Sequence, residues 1–448
     1  MNTMDMDRVV AKVATRRPEL ARATSVVADA LTFGEGPSVI HQARVQYFLW
    51  WTLPRSYPDD LWNEAVEATG ELLEELGMAR LATIARSGAT ADVLAEWRKG
   101  VDHGPAAFRA AQARSGVEPP DTAALAWGSI MGMDEVGAHE EVERRLADAI
   151  ESGEFTPGTA GWRTKAAALT EAALTRPLDL PPGQTLAGLV TTERVGTWTG
   201  TARHPTLAKW RAEIANRLLN PIEPPSDPGQ AVAPMQWLLE KASDPAGAEL
   251  TQSNYLARLT VIEATERFGW WNFEKPPRSE SDIHQLIILR EAAKRLGLVR
   301  RRGRRLHLTN QGRELLANPE RLWERVATET EDDGQFTRMV TELVALRLLR
   351  SGAEARELAS DIAPILAAQG WAVAGDPITA DGVSYAVYRP LRWWRVFNVI
   401  TETKTVWDKE NPRTWTPPTI ALTPAGERTV LAYLRARAAG PRSSIYDI

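Results

Sequence analysis

Five arginines within six positions, Arg300, Arg301, Arg302, Arg304 and Arg305, broken only by Gly303, form the densest run of one chemistry in this sequence. Guanidinium groups are planar forks of N–H donors matched to phosphate and carboxylate oxygens, so the run points to a polyanionic partner, with nucleic acid first. Arg290 and Lys294, a turn or two upstream on the polar face of a predicted helix, join the five as supporting contacts. Two other uses suit the same charges: a solvated hairpin tip, or a docking surface for an acidic protein. No other stretch has comparable chemistry. His139-Glu140-Glu141-Val142-Glu143 begins like a zinc-protease helix, but Glu143 stands where the second histidine ligand is needed. Gly128-Ser129-Ile130-Met131-Gly132 is out of register with a nucleophile elbow, and Gly34-Glu35-Gly36 lacks the third glycine of a dinucleotide loop. The six histidines, His41, His103, His139, His204, His284 and His307, are scattered, and there is no cysteine. The expectation is therefore a protein that is not an enzyme and holds neither cofactor nor metal.

The arginines need a hairpin to present them. Leu298-Val299 and Leu306-His307-Leu308 are β-prone segments on either side, with Arg302-Gly303 at the predicted tip. A helix is predicted before it, over about Asp282 to Leu296. Ser279 and Asp282 form a capping-box pattern at its start, and Gly297 stops it. Leu286, Leu289, Ala292, Ala293 and Leu296 share one arc, with Arg290, Glu291, Lys294 and Arg295 opposite. Ile283 and Ile287 beside His284 occupy the outward positions that would meet bases, and apolar side chains make few hydrogen bonds there. Such positions favour cover by another segment or a partner. Helices over Met235 to Ala242 and Thr251 to Phe268, the second with Leu256, Leu259 and Ile262 at helical spacing, complete a three-helix-plus-hairpin set. That set reads as a winged helix-turn-helix. Glu329, Glu331, Asp332 and Asp333 are an acidic run placed to neutralise the hairpin.

Leu306-His307-Leu308-Thr309-Asn310-Gln311-Gly312 recurs 114 positions later as Ile420-Ala421-Leu422-Thr423-Pro424-Ala425-Gly426. In both, two inward residues end a strand, Thr caps the next helix and Gly lets that helix approach the hairpin. Helices over Phe336 to Leu349 and Ala353 to Gly370, and a third over Pro390 to Asn398, predict a second copy. Its hairpin, Val399-Ile400 to Ile420-Leu422, has a long tip that is not basic.

At 448 residues the chain exceeds one ordinary core. Three domains are expected: a helical one over 1–230, a winged-helix one over 231–330 and a second over 331–448. The proline-rich run from Asn220 to Pro234 is the expected linker. Pro181-Pro182-Gly183 breaks the stretch before it. Helices are expected over Ser38–Leu53, Tyr57–Gly77, Thr90–Trp97, His103–Arg114, Glu135–Glu151 and Pro205–Leu219. The fold class is mainly α, with two winged helix-turn-helix-like units and short β-hairpins. Net charge is −5; residues 281–313 hold nine Lys or Arg against two acids, a local +7 that leaves −12 for the rest. The positive field sits on one feature. Seventeen tryptophans are expected mostly in cores and seams. The adjacent pairs Trp50-Trp51, Trp270-Trp271 and Trp393-Trp394 are the places to look for exposed stacking rings, since helical neighbours diverge by about 100°. No apolar run approaches a membrane span, and Asp5 and Asp7 oppose a signal peptide, so a cytoplasmic location is expected.

Leu308-Thr309-x-x-Gly312 resembles the end of the wing in winged-helix proteins. The larger block, Leu250-Thr251-Gln252 through Phe268-Gly269-Trp270-Trp271 and then Leu298-Val299-Arg300-Arg301 to Gly312, is similar to an uncharacterised family of bacterial proteins with winged-helix character. It also resembles the C-terminal part of proteins related to plasmid ORF-3 products. The resemblance covers the C-terminal half and implies a fold but no reaction. The function expected is binding of double-stranded DNA, of a regulatory kind, by tandem winged helices. The alternative is a non-enzymatic scaffold that organises a protein partner or its own dimer.

Overall fold

Short amphipathic helices separated by Gly and Pro stops dominate the chain, and the strands among the described residues are brief and antiparallel. The computed structural model describes residues 6–179, 182–329, 334–403 and 417–443, with the backbone of 406–407 and 415–416. Pro181, the acidic trio Glu331-Asp332-Asp333 and most of the second hairpin's tip lie outside the described residues. Two compact units emerge, Met1–Val190 with Pro441–Ile448, and Thr191–Gly440.

The first unit is helical throughout its described residues: α1 (Met6–Arg16), α2 (Ala21–Thr32), α3 (Gln42–Tyr47), α4 (Asp60–Glu75), α5 (Ala79–Ala85), α6 (Gly88–Arg98), α7 (Gly104–Ser115), α8 (Met133–Glu151), α9 (Trp162–Thr175) and the start of α10 (Leu186–Gly200). The predicted helix over Ser38–Leu53 is realised as α3 running through a π turn at Phe48–Thr52. That turn separates the Trp50 and Trp51 rings. Trp50 is buried and donates Nε1–H to Thr90 Oγ1 at 2.9 Å, while Trp51 is half-buried between Trp97 and Phe108. Thr90, expected as the cap of α6, instead packs inside that helix, and Ser87 caps it. Arg442 lies against the 128–130 loop, its carbonyl accepting from Ile130 N–H at 3.0 Å.

In the second unit, α11 (Pro205–Leu218) precedes the proline-rich run, which lies within this unit rather than at its edge. Leu218 on one side and Val232, Met235 and Trp237 on the other are buried, so the run is pinned at both ends. Next come α12 (Ala233–Ser243), β1 (Ala248–Glu249), α13 (Arg258–Phe268), α14 (His284–Arg295), β2 (Val299–Arg302), β3 (Arg305–Leu308), α15 (Asn310–Leu316) and α16 (Pro319–Ala327). The sheet order is β1-β3-β2. The remainder repeats that order with α17 (Gln335–Leu348), α18 (Ala355–Ala368), α19 (Ala380–Val396), β4 (Ile400–Glu402), β5 (Ile420–Leu422) and α20 (Pro424–Ala439). Ala353, which exchanges both backbone hydrogen bonds with Ile420, takes the place that Ala248 holds opposite Leu306.

The repeated heptapeptide does the same work twice. Thr309 and Thr423 each accept from the N–H three residues on, Gly312 and Gly426, at 2.9 Å. Both hydroxyls also donate back to the turn that ends the preceding helix, at Gly297 O and Asn398 O. A Cβ on Gly312 would overlap the Leu298 carbonyl oxygen, and one on Gly426 the Val399 carbonyl oxygen. Glycine is the only residue that lets these helices start so close to the hairpin.

Two expectations change here. The segment 251–257 turns back through a Leu250–Leu256 bridge before α13 begins, leaving Leu259 82% exposed rather than in the core. Trp393 and Trp394 are both buried, because helices pack on two sides of α19.

Candidate nucleic-acid interface

The hairpin that carries the arginines is rooted in the core. Val299, Leu306 and Leu308 are buried, and Val299 stands opposite Leu308 in the register. Beyond that root the strands leave the core, and Arg300, Arg301, Arg302, Arg304 and Arg305 are all exposed. Gly303, at φ +57°, supplies the left-handed residue of a two-residue turn. Paired residues of an antiparallel ladder point to the same face, and here Arg302 faces Arg305 while Arg300 faces His307. One face therefore concentrates Arg300, Arg302 and Arg305. Like charges directly opposite destabilise a ladder, so an anion laid across this face would relieve strain already present. Among the described residues none of the five forms an ion pair, and Arg305 makes one long contact, Nη1 to Gly247 O at 3.4 Å. Glu249 stands opposite Arg305 on β1 without bonding to it.

The two supporting cations behave differently. Arg290 is buried, its Nε 2.7 Å from Glu280 Oε1 and its Nη1 3.2 Å from Glu291. Glu280 is itself fully buried and also accepts from Leu256 N–H. Arg290 is thus a clamp inside the module rather than a contact, correcting its expected role. The wheel placed it opposite the core because a wheel has one core face, whereas this side of α14 is covered by the turn holding Glu280. Lys294 remains partly exposed, but its Nζ is 3.0 Å from Glu291, which offsets its charge locally.

The capping box predicted at Ser279 and Asp282 is present, but it starts a short 3₁₀ turn over Glu280–Asp282 and α14 follows after Ile283. Ile283, expected to face outward, is buried. Covering also extends along the helix: α14 packs against α19, Ile288 is 5% exposed, and the Arg295 guanidinium lies 5.8 Å from the Trp393 ring. Glu329 pairs with Arg295 at 3.2 Å, so this described member of the acidic run neutralises the helix rather than the hairpin. Trp270 and Trp271 are half-buried, with Trp271 donating Nε1–H to Lys275 O.

A second group of titratable side chains lies on α8 and just before α3 in the first unit. His139 Nδ1 is 3.5 Å from Glu143 Oε1, the two residues singled out by the incomplete zinc pattern. Burial pushes the Glu143 carboxyl up to about 8, with the nearby Glu140 and Glu118 carboxylates adding to it. Burial lowers His139 and His41 to about 4. Among the described residues no group of three His, Cys, Asp or Glu is placed to hold a metal ion, and no helix is long and apolar enough to cross a membrane.

A family model described as the Y4jL N-terminal domain matches residues 230–321, which span α12 to the start of α16 and so the first copy of the repeat. No curated protein and no solved structure matches the chain.

Proposed function

We propose that the chain binds double-stranded DNA through the arginine hairpin, on a winged-helix unit formed by residues 231–330, with a second such unit over 331–448. The order helix, strand, helix, helix, hairpin, with the first strand paired beside the third, supports the winged-helix reading. In that arrangement the hairpin reaches the phosphates that flank the groove. The observation that carries the function is the set of five exposed arginines, unpaired with any carboxylate among the described residues, on a hairpin anchored by Val299, Leu306 and Leu308. Reversal of all five to Glu should abolish retardation of a duplex in low salt, while the far-ultraviolet circular dichroism stays that of the parent. Retardation that survives the reversal refutes the proposal.

A second reading has its own support. The packing of α19 over α14 suits a scaffold, in which the two winged-helix units organise a protein partner or a dimer. Partners that copurify after nuclease treatment, with no affinity for any duplex, would favour it.

A further inference from the structure

Resting on the DNA reading above, we infer that the site takes the phosphate backbone of any DNA duplex without regard to base sequence. Sequence is read by side chains that offer paired donors and acceptors to base edges, chiefly Arg, Lys, Asn and Gln at the start of a helix in the major groove. Neither copy presents a fully exposed Arg, Lys, Asn or Gln in the first turn of that helix. On α14, Ile283 and Ile288 are buried, Arg290 is locked to Glu280, and Arg295 is held between Glu329 and the Trp393 ring. Glu291 is held by Lys294 and Arg290. Beyond its first turn that helix is engaged by its own chain, and within the first turn His284 is exposed while Gln285 and Ile287 are half-buried.

The corresponding helix of the second copy is open only in its first half. There the exposed side chains are Asp381, Tyr385 and Tyr388, the two tyrosines 68% and 46% exposed. A phenol offers a single hydroxyl, which suits a phosphate or sugar oxygen and does not distinguish base pairs as a bidentate side chain does. Arg389, next to Tyr388, directs Nη1 toward Thr337 Oγ1 at 3.5 Å. What remains is the hairpin, whose arginines sit on strands and a turn and carry charge at a spacing set by the ladder.

Selection from a pool of duplexes with a randomised 20-base-pair centre tests this, using the full chain in low salt. The expected result is retention of the pool with no enriched motif. Its log–log salt slope should be no steeper than about −4.5, five phosphates at about 0.9 each. A motif bound at least tenfold more tightly than its scrambled counterpart overturns the inference and leaves the DNA reading standing. Failure to retain any duplex overturns both. Two variants sharpen the result: Gln285→Ala, at the start of α14, should change affinity by less than twofold, and the pair Arg302→Ala and Arg304→Ala should lower it at least tenfold. A tenfold loss from Gln285→Ala would itself establish base readout by α14 and overturn the inference.

Discussion

Thr309 and Thr423 cap their helices with the same 2.9 Å contact to a glycine N–H, yet the hairpins that deliver them differ in nearly everything exposed. In the first copy the strands turn over two residues and hold five arginines in solvent. In the second the strands β4 and β5 are continued by a further pair, Val406–Trp407 with Trp415–Thr416, and the described residues there carry no comparable run of charge. The helices before the hairpins differ in the opposite sense. α14 is covered along most of its length, whereas α19 leaves Tyr385 and Tyr388 outward. Interior geometry is thus shared between the copies while their surfaces diverge. Backbone carbonyls and caps tolerate almost no change at a close approach, but exposed side chains are limited only by solvation.

Each copy also relies on one buried glutamate that gathers arginine. Glu280 holds Arg290 in the first. Glu342 in the second accepts from Arg211 Nε and Nη2, Arg437 Nε and Trp198 Nε1, tying α10, α11, α17 and α20 together. Removing one partner of a buried pair leaves an uncompensated charge and costs about 3–5 kcal/mol. Glu342→Ala should therefore cause the largest loss in urea unfolding, since it strands two arginines, and Glu280→Ala a smaller one. Equal losses would mean that the second network is no more than one effective pair.

The shared junction can be broken symmetrically. Gly312→Ala and Gly426→Ala each force a Cβ into a carbonyl oxygen, and each should cost on the order of 2–3 kcal/mol, the range for overpacking without relief. A loss at one position alone would show that the two helix starts are not equivalent in energy. A change outside the repeat supplies a reference. Glu143 keeps its proton in the folded state up to about pH 8, whereas in the unfolded chain it releases it near 4.5. The folded state binds the extra proton between those values, so its stability falls as pH rises through that window. Glu143→Gln should therefore stabilise the first unit at pH 8 by on the order of 1–2 kcal/mol and have little effect at pH 4, as read by thermal melts. Gain at both pH values would place the effect in packing rather than in ionisation. The smallest change is expected from the caps. Thr309→Ala and Thr423→Ala should each cost about 1 kcal/mol, and a near-zero value at either would show that its helix start is held by the hairpin alone.

Much of this arrangement is legible along the chain. The heptapeptide repeat, the hairpin around Gly303, the capping box at Ser279 and the apolar arc of α14 are all local patterns, and each appears where its residues stand. The helices Phe336 to Leu349 and Ala353 to Gly370 were readable to within two residues for the same reason. The third was not: α19 begins at Ala380, ten residues before the expected Pro390 start. Pro390 sits inside it, a residue whose missing N–H more often marks a helix beginning.

Local sequence settled most of the segments that become helix or hairpin and where the positive charge accumulates, because capping, turn chemistry and charge act within a few residues. Which of those cations reach solvent was settled by tertiary packing. Arg290 and Arg300 look alike in the sequence, yet one is clamped by a glutamate ten residues away and the other forms no ion pair among the described residues. The cover on α14 is of the same kind, since it comes from a helix about a hundred residues downstream and leaves no periodic mark on the residues it hides.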